Sequence, residues 1–212
     1  MSELGMLELI QRLAALSQTG LEFAVSPFDV QRYEEIGEIA AQLASHGEPD
    51  ALRVAAIFRS DDGYVTPKMI VRAAVFSLPT ADIPDPHILM VREVADGRWT
   101  LPGGWIDLGE SASYAAEREV LEETGLIVTA EKLAAVFDKR RHDHPPAPHH
   151  AYLLFFLCSL DGGTLGASIE TSEVGWFPAH DLPELSLGRA TAGQILRMFE
   201  HWRDPSLPAD FD

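Results

Sequence analysis

The stretch that decides the fold is Gly104-Trp-Ile-Asp-Leu-Gly-Glu110-Ser-Ala-Ser-Tyr-Ala-Ala-Glu-Arg118-Glu119-Val-Leu-Glu122-Glu123-Thr-Gly125-Leu126. A Gly-Gly turn at 103–104 leads into this stretch at its first residue, and a helix is predicted from about Ser111 to Thr124. Gly125 is the residue type that most often ends a helix. The stretch therefore predicts a loop, a helix and a second loop.

Three glutamates crowd one face of this helix. At about 100° per residue, Glu119, Glu122 and Glu123 fall within about 100° of one another. Like charges at these spacings destabilise a helix, and carboxylates near its C-terminal end oppose the helix dipole. Divalent cations with oxygen ligands would resolve the conflict, and Mg²⁺ or Mn²⁺ fits best. The alternative for three glutamates alone is an acidic face exposed to water.

The surrounding positions favour the metal site. The stretch resembles, at every fixed position, the signature of the Nudix hydrolases: Gly, five residues, Glu, seven residues, then Arg-Glu-apolar-any-Glu-Glu-any-Gly-apolar. Seven fixed positions match by chance with a probability of about 10⁻⁶ over a chain of this length. The resemblance implies an α/β/α sandwich with a mixed sheet. It also implies Mg²⁺- or Mn²⁺-dependent hydrolysis of a nucleoside diphosphate linked to another moiety.

The resemblance also implies site residues. The metal ligands would be the side chains of Glu119, Glu123 and Glu122 and the main-chain carbonyl of Gly103. Glu110 and Arg118 would pair and hold the helix against its loop, and Arg118 and Glu122 join the predicted catalytic residues. Glu170 and Glu173 precede or begin the last strand, where several Nudix enzymes place a fourth ligand or a general base. The alternative for these two is a pair of surface carboxylates.

Several residues are predicted to bind substrate. Arg72 and Arg92 lie inside apolar strands, where an arginine needs a ligand or a structural ion-pair partner. Lys68, just before the first of these strands, is a similar candidate and is expected to be more exposed. Trp99 precedes the glycine turn, and core packing is the alternative interpretation for this residue. The only basic cluster runs from Lys139 to His150. Its histidines match no zinc-cage spacing, so it is interpreted either as a Pro-stiffened loop whose positive end faces the diphosphate or as a plain surface loop.

The rest of the chain predicts two domains. Residues 1–65 are interpreted as a helical module, with helices at Leu4–Leu16, after Ser26 and at Ala51–Phe58. Residues 66–212 form the predicted Nudix domain. Its remaining predicted elements are strands at Met69–Phe76, His87–Glu93, Leu126–Phe137, Ala151–Leu160 and Glu173–Phe177 and a last helix at Thr191–Trp202.

The first domain indicates which subgroup of the Nudix hydrolases the chain resembles. The run Pro27–Glu35 is similar to the helical module of a bacterial Nudix subgroup that includes CDP-choline pyrophosphatases and ADP-ribose pyrophosphatases. This similarity implies a homodimer in which the module borders the active site. Arg32 then either contacts the base or ribose or packs between helices. A CDP-alcohol such as CDP-choline is the first predicted substrate and ADP-ribose the second.

Composition excludes several other classes. The 212 residues carry a net charge of −17, which repels nucleic-acid backbones at long range and disfavours non-specific binding to them. No apolar run is long enough to span a bilayer, no secretory signal is recognisable, and Cys158 is the only cysteine. A cytoplasmic enzyme is the expectation. The competing hypotheses are a Nudix-fold nucleotide sensor without turnover and a hydrolase that trims RNA ends.

Overall fold

The computed structural model describes residues 5–45, 65–77, 85–147, 149–166, 168 and 171–212. These residues form two compact units. The first comprises the described residues up to Pro67 together with those of Pro146–His149, and the second comprises those of Lys68–Pro145 and His150–Asp212. Among the described helices, none is long and apolar enough to cross a membrane.

The first unit is a helical hairpin. Helix α1 spans Met6–Phe23 and helix α2 spans Pro27–Ser45, with Pro27 at the first helical position as predicted. Ser17 of α1 donates a 2.6 Å hydrogen bond to the Tyr33 carbonyl of α2, while Ile10 packs with Ala44, so the helices run antiparallel. The helix predicted at Ala51–Phe58 lies outside the described residues.

The second unit contains two sheets. The four-stranded sheet has the order β1-β5-β4-β7, with β1 at Lys68–Val75, β4 at Leu126–Asp138, β5 at Ala151–Gly163 and β7 at Asp210–Phe211. Strand β5 runs parallel to β1 and antiparallel to β4, so this sheet is mixed as predicted. The three-stranded sheet has the order β3-β2-β6, formed by Trp99–Thr100, His87–Glu93 and Thr171–Pro178.

The second unit has two helices, and each packs in a different hydrophobic cluster. Helix α3, Ala112–Thr124, packs Ala115, Ala116 and Val120 with alternate residues of β1 and β5. Helix α4, Ala192–Arg203, contributes its apolar face to the other cluster. Because successive strand residues point to opposite faces, one sheet supplies both clusters, and the predicted α/β fold with a mixed sheet is confirmed.

The C-terminal segment is held by a polar network. His201 of α4 is fully buried, and its Nε2 lies 2.9 Å from Asp210 Oδ2 in β7. Lys132 of β4 donates to the Pro205 and Leu207 carbonyls at 3.0 and 2.6 Å. Arg197 bonds both carboxylate oxygens of Asp210, and these bonds lower the pKa of Asp210 to about 2. This network fixes β7 beside β4.

The Asp210 carboxylate should stabilise the fold in a pH-dependent way. Its pKa lies below the value of about 3.9 typical of an unfolded chain, so its contribution is complete above pH 4 and disappears as the pH falls towards 2. We expect Asp210→Asn to lower the free energy of unfolding by about 1–2 kcal/mol at pH 7, with the loss shrinking below pH 4. Urea unfolding between pH 7 and pH 3 measures this. An exposed control, Asp181→Asn, should change little, and a loss in Asp210→Asn that did not vary with pH would contradict the assignment.

Candidate functional site

The site is built on a glycine loop that runs beside β1. The amide of Val71 donates to the Gly104 carbonyl at 2.9 Å, and the amide of Ala73 donates to the Pro102 carbonyl at 2.8 Å. The Gly103 carbonyl between these two, and the Leu101 carbonyl just before them, instead accept hydrogen bonds from Nη1 of Arg72, the one to Leu101 at 3.2 Å. One strand edge and one guanidinium therefore fix the course of the loop.

At two glycines of this loop a side chain would meet neighbouring atoms, main-chain atoms at Gly103 and the Glu119 carboxylate at Gly104. Gly103 has φ 143°, and a Cβ there would lie 2.1 Å from the Val71 carbonyl oxygen. A Cβ on Gly104 would lie 2.5 Å from Oε1 of Glu119 on helix α3. Side chains are absent where the loop approaches the acidic helix, so main-chain oxygens and carboxylates share a narrow space.

Glu123 lies at the base of this space. It is only 6% exposed, and its Oε2 accepts a 2.9 Å hydrogen bond from the Gly103 amide. Burial raises the pKa of Glu123 to about 8, although the Arg72 charge and the Gly103 amide both favour the ionised form. Arg72 is 2% exposed, and burial lowers its pKa to about 10 against the opposing effect of Glu123. A buried carboxylate and a buried guanidinium thus stabilise each other's charged form across the Gly103 peptide.

Arg118 organises the remaining glutamates. Its guanidinium bonds both carboxylate oxygens of Glu110 at 2.8 and 3.0 Å, the pair that the resemblance implies. Nη1 of Arg118 also bonds Glu119 at 3.0 Å and Glu122 at 2.9 Å. Hydrogen bonding to Glu110 is the main cause that raises the pKa of Arg118. Glu119 and Glu122 of the helix therefore share the positive charge of Arg118.

The predicted metal ligands lie close together but do not converge. Within the described part of the chain, no three His, Cys, Asp or Glu side chains are arranged to hold a metal ion. Arg118 draws Glu119 and Glu122 towards itself, while Glu123 bonds the Gly103 amide. Burial raises the pKa of Glu119, and the negative charge of Glu119 raises that of Glu123. A cation that replaced Arg118 as the partner of Glu119 would lie close to the Gly103 loop and to Glu123.

Two residues predicted for different roles bond to each other. Nη1 of Arg92, in β2, lies 2.6 Å from Oε1 of Glu173, its direct cross-strand neighbour in β6. Nε of Arg92 also donates to the Gly97 carbonyl at 2.7 Å. The pair is exposed, so neither side chain is committed to the buried site. Glu170, the other predicted base, lies outside the described residues.

The other predicted substrate contacts each have partners of their own. Trp99 is half-buried and packs edge-on against Phe177, with ring centroids 4.7 Å apart. Lys68 begins β1, where its amide donates to the His150 carbonyl at 2.9 Å. Arg32 belongs to the first unit and forms an exposed 2.6 Å ion pair with Asp29. Of the residues predicted to bind substrate, Arg72 is the one whose side chain bonds the glycine loop in the second unit as the structure describes it.

Sequence reasoning missed an ion pair near this site that joins a buried carboxylate to a half-buried arginine. Glu93, at the end of β2, is 5% exposed and pairs at 2.8 Å with Arg189 from the loop before α4. The charges of both residues act on Arg72. A carboxylate at the end of an apolar strand was the available signal for Glu93, whereas Arg189 lies in a loop without a pattern.

Comparison with known families gives two matches. The NUDIX domain family matches residues 71–199. A second family, described as a UDP-X-like, N-terminal oligomerisation domain, matches residues 5–58.

Individual relatives cover most of the chain. The Bacillus subtilis (strain 168) protein named "Putative ADP-ribose pyrophosphatase YjhB" is 37% identical over 207 residues, which are 97% of this chain and 96% of that protein. The crystal structure of an ADP-ribose pyrophosphatase from Streptococcus suis 89-1591 is 39% identical, with a TM-score of 0.60, and covers 69% of this chain and 100% of its own. The crystal structure of a UDP-X diphosphatase is 29% identical, with a TM-score of 0.61, and covers 98% of both chains.

The family match spans more than half of the chain and includes the glycine loop, the acidic helix and every strand of the two sheets except β7 and the start of β1. Together with a relative that is similar along nearly the full length, it confirms the resemblance inferred from the Gly104–Leu126 signature. The chain belongs to the Nudix family and is a Nudix pyrophosphohydrolase preceded by a UDP-X-like N-terminal domain.

Proposed function

We propose that this enzyme hydrolyses the diphosphate bridge of a nucleoside diphosphate linked to a sugar or alcohol, with ADP-ribose as the first candidate substrate. The observation that carries the proposal is the buried Glu123 carboxylate, bonded to the Gly103 amide beside Glu119. A buried, crowded acidic site suits an enzyme that assembles cations around an anionic substrate.

The order of substrates rests on the relatives. The sequence favoured a CDP-alcohol such as CDP-choline ahead of ADP-ribose. Two of the three relatives described above carry ADP-ribose in their names, and the third is a UDP-X diphosphatase. We therefore place ADP-ribose first, a UDP-linked moiety second and a CDP-alcohol third.

Mg²⁺ or Mn²⁺ is the proposed cofactor. Four carboxylates, those of Glu110, Glu119, Glu122 and Glu123, face the two guanidiniums of Arg72 and Arg118. When all four are ionised, two negative charges remain, which one divalent ion neutralises. The missing side chain of Gly104 leaves space in front of Glu119. We propose Glu119 and Glu123 as the central ligands, assisted by Glu122 and the Gly103 carbonyl, since hard cations prefer such oxygens.

The chemistry is a hydrolysis with two phosphorylated products. A divalent cation, when bound, neutralises phosphate oxygens and lowers the pKa of water. The water oxygen forms a bond to one phosphorus, and the bond from that phosphorus to the bridging oxygen breaks. The bridging oxygen leaves on the second phosphate, so a nucleoside monophosphate and a phosphorylated moiety result. One water proton stays on the attacked phosphate, and the other passes to a base.

Glu122 is the proposed proton acceptor. Its side chain is 58% exposed beside Glu119, and one of its oxygens bonds Arg118. Glu170 and Glu173 are the alternatives predicted from the sequence. Arg118 positions the carboxylates of α3, and Arg72 holds the Gly103 loop through the Leu101 and Gly103 carbonyls. A contact of Arg72 with substrate stays a prediction. Lys68, Arg92, Trp99 and Arg32 stay predictions as substrate contacts.

We also propose that the enzyme is a homodimer formed through its helical module. Large apolar side chains of this unit are exposed, among them Val25 at 95%, Phe28 at 72% and Phe23 at 67%. Exposed apolar surface of this kind marks interaction sites. The description of the matching family as an oligomerisation domain supports this proposal. The domain boundary after residue 65 stays a prediction.

A substrate panel tests the proposed reaction. With Mg²⁺ or Mn²⁺ present, we expect the enzyme to release AMP from ADP-ribose faster than it releases the monophosphate from UDP-glucose or CDP-choline. Products are separated by chromatography, with capped RNA and nucleoside triphosphates as further substrates. Binding of ADP-ribose without hydrolysis of any compound would favour a nucleotide sensor. Preferential hydrolysis of RNA ends would favour the RNA-trimming alternative.

Neutralising the central carboxylates should abolish turnover. We expect Glu119→Gln and Glu123→Gln each to lower kcat about a hundredfold or more, because each removes a charged oxygen ligand. Glu117→Gln is the matched control, since Glu117 lies on the same helix and its Oε1 accepts the Ala130 amide, which an amide oxygen can also do. Rates like the wild type in either site variant, with the fold intact by circular dichroism, would refute the ligand assignment.

The dimer proposal has its own measurement. Sedimentation velocity should show a dimer of the 23.3 kDa chain. The double variant Val25→Ser, Phe28→Ser should sediment as a monomer, because both apolar side chains are exposed in the helical unit. Ile127→Ser removes an exposed apolar side chain from the second unit and should leave the dimer unchanged. A monomeric wild-type protein would contradict the proposal.

A further inference from the structure

Lys139 is a half-buried cation with no partner among the residues whose structure is described. It is the first residue of a short 3-10 helix, Lys139–Arg141, that directly follows β4. Its ammonium forms no hydrogen bond or ion pair with any residue that the structure describes, although the chain carries 33 acidic residues against 16 lysines and arginines. The neighbouring Arg140, by contrast, pairs with Asp138 at 2.9 Å. An unpaired charge is costly away from bulk water, so this one needs an explanation.

Hydrogen bonds bring the loop of Lys139 to the glycine loop. His144, five residues after Lys139, donates from its Nδ1 to the Leu187 carbonyl at 2.7 Å. The segment around Leu187 is in turn fixed to β3, since the Ser186 amide donates to the Trp99 carbonyl at 2.8 Å and the Trp99 amide donates to the Glu184 carbonyl at 2.9 Å. Strand β3 leads directly into the glycine loop. Three loops of the second unit are therefore tied together at one end of its sheets.

Two further cations lie within electrostatic range of Lys139. Arg189 follows Leu187 by two residues and bonds Glu93, while Arg72 holds the Gly103 loop. Burial is the main cause that lowers the pKa of Lys139, and the charges of Arg72 and Arg189 lower it further. Both arginines have acidic neighbours, Glu93 and Glu123, that offset their charge. Lys139 has none among the described residues, so the positive potential at its ammonium is uncompensated.

We propose that Lys139 is a substrate-binding residue whose ammonium receives phosphate oxygens of the diphosphate. This inference rests on the proposed function and deepens it. The carboxylates of α3 are the proposed ligands of cations, whereas Lys139, in the loop after β4, supplies a positive charge that no described carboxylate offsets. A phosphate between them satisfies the unpaired ammonium. An ammonium with three rotatable donors suits the oxygens of a phosphate, which it binds as a point charge.

The test compares three variants. Lys139→Met removes the charge and keeps an unbranched apolar side chain, and Lys139→Arg restores the charge. Arg141→Met is the matched control, because Arg141 lies in the same 3-10 helix and is exposed. The probe is inorganic pyrophosphate, titrated by calorimetry in the presence of Mg²⁺. In parallel, the KM and kcat for ADP-ribose are measured with Mg²⁺.

We expect Lys139→Met to weaken pyrophosphate binding and raise KM by about tenfold, in the range of a charge-assisted hydrogen bond, while kcat changes less than KM. Lys139→Arg should stay within about threefold of the wild type, and Arg141→Met should match it. Wild-type affinity in Lys139→Met would overturn the inference, as would an equal loss in Lys139→Arg or no pyrophosphate binding by the wild type.

Failure of the proposed function gives a different result. If no nucleotide substrate is hydrolysed but pyrophosphate binding still depends on Lys139, the proposed reaction is wrong and the anion-binding role of Lys139 stands. If substrates are hydrolysed while Lys139→Met leaves both KM and pyrophosphate affinity unchanged, the reaction stands and the inference about Lys139 is wrong.

Discussion

The site depends on the main chain of Gly103, which is hydrogen-bonded to two buried charged side chains. Its carbonyl accepts from Arg72 and its amide donates to Glu123. Each of these two side chains would be costly to bury alone, because removal of one partner leaves an uncompensated charge. Because both side chains bond the main chain of Gly103, they fix the glycine loop, helix α3 and strand β1 in one arrangement.

The acidic helix owes its order to a second guanidinium. Repulsion between Glu119, Glu122 and Glu123 suggests from sequence alone that divalent cations stabilise the helix. In the structure Arg118 already supplies part of that stabilisation by bonding two of them together with Glu110. A cation that enters the site must therefore compete with an internal one. The competition explains why the carboxylates lie together without converging.

Local sequence predicted the elements whose pattern is strong. The acidic helix ends at Gly125 as expected, and the long strands begin within a residue or two of their predicted positions. Strands β3 and β7 were not predicted, because each has two residues and so no alternation to detect. Strand β7 exists because Asp210 bonds Arg197 and His201, and those contacts depend on how α4 packs.

The sequence by itself determined the family, the acidic helix and its glycine loop, because their chemistry depends on spacings within one turn and one helix. Tertiary structure alone decided what each distant charge does. Arg72 and Arg92 look alike in sequence, each an arginine within an apolar strand, yet one is buried against the Gly103 carbonyl and the other pairs with Glu173 at the surface. The physical reason is that a charged side chain takes its role from the partners that sheet pairing and loop packing bring to it, and these partners lie 31 and 81 residues away in the chain.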